Sequence, residues 1–123
     1  MTDHLQPRLR VLLAEAIAIG PGKAELLRHI REEGSISAAA RAMNMSYRRA
    51  WLLVDTMNHC FLAPVVSTAT GGSHGGGAHL TEMGEEILIR YEAMEAKANL
   101  TLAPDIAEFR KLMQLHKPEE SAS

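Results

Sequence analysis

Apolar positions recur along this chain with two different periods, and the changes of period mark the elements. Arg8 to Ile19 reads RLRVLLAEAIAI, rich in aliphatics with partial alternation at Leu9, Val11 and Leu13. It predicts a strand that can bend into a hairpin, with a short helix as the competing reading because of its Leu and Ala content. Gly20-Pro21-Gly22 breaks that segment. From Lys23 to Glu33 the period becomes helical, with Leu26, Leu27 and Ile30 on one side and Gly34 as a C-terminal stop. Ser37 precedes AAARAM and is the expected N-cap of a short second helix, whose small side chains let a neighbour approach closely. Asn44-Met45 interrupts it, and Ser46 offers a second cap nine residues after the first.

A third helix is predicted from about Tyr47 to His59. At about 100° per residue, Ala50, Leu53, Val54 and Met57 share one sector, while Arg48, Asp55 and His59 fall opposite. Arg49 lies on one flank with Thr56. Trp51 lies on the other, where its ring can be buried edgewise. Leu52 falls on the outer side, which is unusual for a purely solvated face. PVVSTAT at Pro64 to Thr70 predicts a strand. GGSHGGG from Gly71 to Gly77 is an excursion longer than a tight turn needs, and Ala78-His79-Leu80 returns as the partner strand. Thr81 caps a long helix with Glu82, Glu85 and Glu86 in its first turns and Ile87, Leu88, Tyr91 and Met94 as its apolar stripe. Thr101-Leu102 breaks that stripe. Pro104 is placed to start a last helix to about Leu115, with Ile106, Phe109 and Met113 on one side, followed by a polar tail expected to be disordered.

Composition narrows the field. With 123 residues, 46% hydrophobic and 23% charged, the chain has the profile of one globular domain or a small domain with an arm. Aromatics are only 4%, so the core falls to Leu, Ile, Val, Met and Ala. Cys60 is the single cysteine, which excludes an intramolecular disulfide and a cysteine-built zinc site. No run approaches the roughly 18 apolar residues of a membrane helix, and Met1 to Arg10 lacks a signal-peptide core, so a soluble, cytoplasmic protein is expected.

The net charge of −2 is unevenly spread. Residues 1–33 carry five basic and five acidic side chains; residues 34–80 carry Arg41, Arg48 and Arg49 against Asp55 alone; residues 81–123 carry five basic against nine acidic. The acid-depleted middle is the part that could approach an anion. Three helices with a short, alanine-rich second one, followed by a loose-tipped hairpin, define a mainly α winged helix-turn-helix with a small β-hairpin, a long C-terminal helix and an extra C-terminal helix. A helix in a major groove needs one packed face, one free face and hydrogen-bonding side chains near its N-terminal end. Ser46, Tyr47, Arg48 and Arg49 provide them. Thr70, Gly71, Gly72, Ser73 and His74 at the wing tip, and Arg41 beside the turn, are weaker DNA-contact candidates.

The stretch GSISAAARAMNMSYRRAWLLVDTMN resembles the helix-turn-helix of the ModE-type molybdenum-transport regulators, themselves related to LysR-type regulators, and ATGGSHGGGAHLT resembles their glycine-rich wing. The resemblance covers about Arg8 to Ala98. It implies a homodimeric regulator of transcription that binds double-stranded DNA, with Ser46 to Arg49 in the recognition helix and Trp51 supporting packing. Two departures stand out. Family wings often carry Lys where this chain has Ser73 and Gly where it has His74, which removes a fixed positive charge. About 25 residues follow Ala98, too few for the family's oxyanion-binding domains, so molybdate binding by this chain alone is not expected.

These expectations divide the chain into a DNA-binding domain at 1–98 (strand 8–19, helix-turn-helix 35–60, wing 64–80, long helix 81–98) and a dimerisation element at 99–123. Leu88, Tyr91, Met94, Ile106, Phe109 and Met113 are the candidate dimer surface. Competing chemistries are weaker. GGSHGGG is followed by no Gly-Lys-Ser/Thr, so it is not a nucleotide-binding loop. His59, His74 and His79 could meet around a metal, but polar wings are common and neither a metal nor a cofactor is expected. No strand–nucleophile–helix context supports catalysis. The alternative is a protein-interaction module on the same scaffold, favoured by the acidic C-terminal third.

Overall fold

The short loops between helices are set by capping chemistry. In the computed structural model, which describes residues 6–69 and 77–114, the first helix α1 spans Pro21–Glu33. Pro21 occupies its first turn, where a missing N–H costs nothing. Gly34 ends it in the left-handed region (φ 79°), with its N–H bonded to the Ile30 carbonyl at 2.9 Å. The second helix α2 spans Ile36–Ala42 and is capped by Ser35, not by Ser37 as expected. Ser35 is extended and its hydroxyl accepts from the Ala38 N–H at 3.0 Å; Ser37 already lies inside the first turn. Asn44 (φ 58°) makes the left-handed step that turns the chain into α3, Tyr47–Cys60.

Ahead of α1, the strand expected at 8–19 is bent into a hairpin, the form that its sequence allowed. Strands β1 (Val11–Leu13) and β2 (Ala16–Ile19) pair antiparallel about Ala14 (φ 55°), with Leu13 opposite Ala16 and Leu12 opposite Ile17. The wing follows α3 as β3 (Val66–Ala69) and β4 (Gly77–Leu80), antiparallel, with Val66 opposite Leu80 and Ala69 opposite Gly77. The tip residues Thr70, Gly71, Gly72, Ser73 and His74, like the polar tail from 116 to 123, lie outside the described residues.

One core joins these parts. Leu26, Leu27 and Ile30 of α1, Ala39 and Ala40 of α2, and Ala50, Val54 and Met57 of α3 pack with Val65, Val66, Ala78 and Leu80 of the wing. The three alanines make α2 and α3 slim enough to share a small interior. The last helix α4, Glu82–Arg110, closes this core with Leu88 and Tyr91. Its hydroxyl cap Thr81 accepts from the Gly84 N–H at 3.0 Å and donates to the Pro64 carbonyl at 2.6 Å.

The separate last helix expected from Pro104 is not formed. Pro104 lies inside α4, which runs unbroken past Thr101 and Leu102. A proline there removes one N–H, but residues 100–105 are exposed, so water can take the unpaired carbonyl. Only Gly84, Leu88 and Tyr91 of α4 are buried, all in its first third, where Met83 and Ile87 also pack against the core. Among the described residues, no helix is long and apolar enough to cross a membrane.

Candidate nucleic-acid interface

Ser46 begins α3 as its N-cap, its hydroxyl oxygen accepting from the Arg49 N–H at 3.1 Å. That bond fixes the first turn and leaves the hydroxyl proton available to a donor-seeking group outside. Ala50, Val54 and Met57 are the buried side of α3. Tyr47 (55% exposed), Arg48 and Arg49 are exposed in its first turn, the two arginines away from that buried side. Arg41, in the last turn of α2, is exposed close to the turn.

Ion pairing separates two populations of cations. Arg28 pairs with Glu92 at 2.7 Å, Arg31 with Glu85 at 3.1 Å, Arg90 with Glu86 at 2.7 Å and Lys111 with Glu108 at 3.1 Å. These cations serve the acid-rich last helix. Arg41, Arg48 and Arg49, by contrast, make no side-chain hydrogen bond or ion pair with the described residues. Lys23, near the start of α1, is half-buried, and burial lowers its ammonium pKa. The nearby Cys60 side chain acts against that shift, and the Arg49 guanidinium adds to it, so Lys23 lies within the field of the α3 cations.

The wing root is held to α3 by a residue that sequence reasoning did not single out. Asn58 accepts through Oδ1 from the N–H groups of Val65 (2.8 Å) and Val66 (3.2 Å), and its Nδ2 donates to the Val66 carbonyl at 3.3 Å. An asparagine near a helix end is equally at home in water, so only the position of residues 65 and 66 reveals this role. On the other side, the Ala78 N–H bonds to the Gly34 carbonyl at 2.9 Å, fixing the returning strand to the α1–α2 junction. The wing therefore leaves the body at a set angle to α3.

Two expectations change. Trp51, expected to pack, is 44% exposed, because Ala50, Val54 and Met57 already fill the buried sector. Leu88 (0% exposed) and Tyr91 (1%) leave the candidate dimer surface, since both are consumed by the core. The Tyr91 hydroxyl donates to the Leu9 carbonyl at 2.7 Å, with the Glu95 carboxylate at 3.0 Å as the alternative acceptor, tying α4 to the N-terminal segment. Met94, Phe109 and Met113 remain exposed and Ile106 is half-buried. His59 Nδ1 donates to the Asp55 carbonyl of its own helix at 2.8 Å, and His74 lies outside the described residues. Among the described residues, His29, Glu32 and Glu33 at the end of α1 bring three potential ligand atoms together.

No protein-family model matches the chain. Curated proteins do. It is 41% identical over 109 residues to the molybdenum-pterin-binding protein MopB of Rhodobacter capsulatus, covering 89% of this chain and 39% of that protein. It is 34% identical over 116 residues to the molybdenum transport protein ModE of Azotobacter vinelandii, covering 85% and 43%. It is 36% identical over 86 residues to the DNA-binding transcriptional dual regulator ModE of Escherichia coli K12, covering 70% and 33%. The chain thus spans less than half the length of each of these relatives.

Proposed function

We propose that this chain is a ModE-type, DNA-binding regulator of molybdenum-related genes, acting in the cytoplasm as a homodimer with α3 in the major groove of double-stranded DNA. The observation that carries the reading is the pair of guanidiniums without a partner among the described residues: Arg48 and Arg49 are exposed in the capped first turn of α3, while Arg28 and Arg31 of α1 and Arg90 of α4 are tied to acids. Cations left without counter-ions around one helix end match a phosphate lattice. The wing adds a second arm at a fixed angle, held by Asn58 and Gly34.

The names of the relatives support the molybdenum connection, and that of the Escherichia coli protein supports DNA as the partner. In a dimer, two copies of α3 would enter successive major grooves about 34 Å apart. The exposed apolar side chains Met94 and Phe109 along α4 and Met113 just beyond its end, with Ile106, are the surface on which a second copy would pack. Selection of bound fragments from a genomic library, with and without molybdate, tests the reading. Enrichment of a two-fold-symmetric sequence near molybdenum-transport genes is the expected result; recovery of no enriched sequence would leave the scaffold as a protein-interaction module.

A further inference from the structure

The outward face of α3 is not uniformly polar. Leu52 is 48% exposed and Trp51 44%, side by side on the helix that carries the unpaired Arg48 and Arg49. With about 100° between successive residues, Leu52 lies within about 40° of Arg48, one turn further along and opposite the buried sector of Ala50, Val54 and Met57. Side chains of a helix lean toward its N-terminus, so Leu52 leans toward Arg48. A single exposed leucine on a protein surface is ordinary. Here Leu52 lies on the outward stripe beside Arg48, with Trp51 on one flank, and the face is rimmed by cations without a partner among the described residues: Arg48 and Arg49 on α3 and Arg41 on α2.

That combination narrows the occupant. A protein partner would have to supply acidic groups for the rim as well as an apolar centre. The major groove supplies phosphates along its walls and one apolar feature on its floor, the C5-methyl group of thymine. Leu52 is the sixth residue of α3, within the two N-terminal turns that a recognition helix brings to base edges. We propose that Leu52, flanked by Trp51, is a specificity-determining contact that takes thymine methyl groups, beside the base step reached by Arg48. The proposal rests on the DNA-binding reading of α3 and says what that helix reads.

Uracil is thymine without the methyl and keeps the same hydrogen-bonding edge, so it isolates the contact. The probe is the most enriched genomic fragment, resynthesised with deoxyuridine replacing each thymine in turn and titrated with the full chain at fixed salt. The wild type should bind about fourfold more weakly when the contacted methyl is removed, the factor for losing one buried methylene-sized group. Leu52→Ala should bind the thymine and uracil forms equally at that position, with unchanged helical content and an unchanged salt slope, because the contact carries no charge. A wild type that is indifferent to uracil at every position overturns the proposal while leaving DNA binding intact. So does a Leu52→Ala variant that keeps the full discrimination, or one that loses affinity only because it loses structure. A chain that enriches no fragment overturns this proposal and the regulator reading together.

Discussion

Gly84 and Val65 approach so closely that no side chain fits between them. A Cβ on residue 84 would overlap the Val65 carbonyl oxygen and lie 3.0 Å from the carbonyl carbon behind it. Neither backbone can yield cheaply. The Val65 oxygen accepts from the Thr81 N–H at 3.0 Å and the Val65 N–H is held by Asn58 at 2.8 Å. Gly84 is therefore the point where α4 docks onto the wing root. Gly84→Ala should cost about 3 kcal/mol or more, at the upper end of overpacking penalties, because backbone rather than a flexible side chain must move. Urea unfolding checks it; a loss below about 1 kcal/mol would mean that α4 can shift away from Val65.

The turn of the helix-turn-helix depends on Asn44. Its φ of 58° lies in the left-handed region, which asparagine tolerates far better than most residues. Asn44→Ala should destabilise the fold by about 1 kcal/mol, and Asn44→Gly should be close to neutral, since glycine takes that conformation without strain but loses more entropy on folding. The two variants should separate in thermal unfolding, the alanine form melting at the lower temperature. Equal melting temperatures would remove backbone strain as the cause.

Arg48 and Arg49 should differ in how they fail. If the dimer neutralises about four to six phosphates, log K should fall with log salt at a slope of about −4 to −5. A residue that contacts phosphate should, when changed to alanine, weaken all sequences alike and reduce the slope by about 1 per contact. One that reads a guanine should cost roughly 1–3 kcal/mol and relax preference at one base pair. Arg48, on the outward stripe, is expected in the second class and Arg49, on the flank, in the first. Binding isotherms over a salt series, on the selected site and on its single-base variants, make the assignment. A salt-independent affinity would remove the electrostatic basis of the interface.

Local signals in the chain located most elements, and the errors share one cause. Gly34, Ser46 and Thr81 act as the terminators and caps that their residue types suggest, because capping is settled within a few residues of sequence. Ser35 rather than Ser37 caps α2 because two serines two residues apart compete, and the tertiary position of Gly34 decides between them. Pro104 could not be read as internal because its cost depends on whether its neighbours are buried. The same holds at the candidate site. The amphipathic pattern placed Arg48 outward, but whether a cation is paired, as Arg28 is with Glu92, or unpaired, as Arg48 is, depends on contacts 64 residues away. Leu88 and Tyr91 read equally well as core or interface for that reason.

Tyr91 makes the fold sensitive to alkali. Burial first, then the hydrogen bond to Glu95 and the negative charge of that carboxylate, push its phenol up to about 12, with Arg8 and Arg28 acting weakly the other way. In the unfolded chain a tyrosine loses its proton near pH 10. Below about pH 10 both states hold the proton and the stabilisation is fully present. Between about pH 10 and 12 the unfolded chain ionises while the folded chain does not, so stability falls with rising pH at up to about 1.4 kcal/mol per pH unit, about 2–3 kcal/mol in all. Lys23 works in the opposite sense, because burial lowers its pKa and the unfolded chain then holds the extra proton. The difference between wild type and Tyr91→Phe cancels that contribution. At neutral pH the variant should be less stable by about 1 kcal/mol, having lost the hydrogen bond to the Leu9 carbonyl. As pH rises through the window from about 10 to 12 the gap should close and then reverse. Urea midpoints measured at pH 7, 9, 10 and 11 test this: a gap that stays constant across the series would show that Tyr91 ionises alike in both states, and the buried-phenol account would fail.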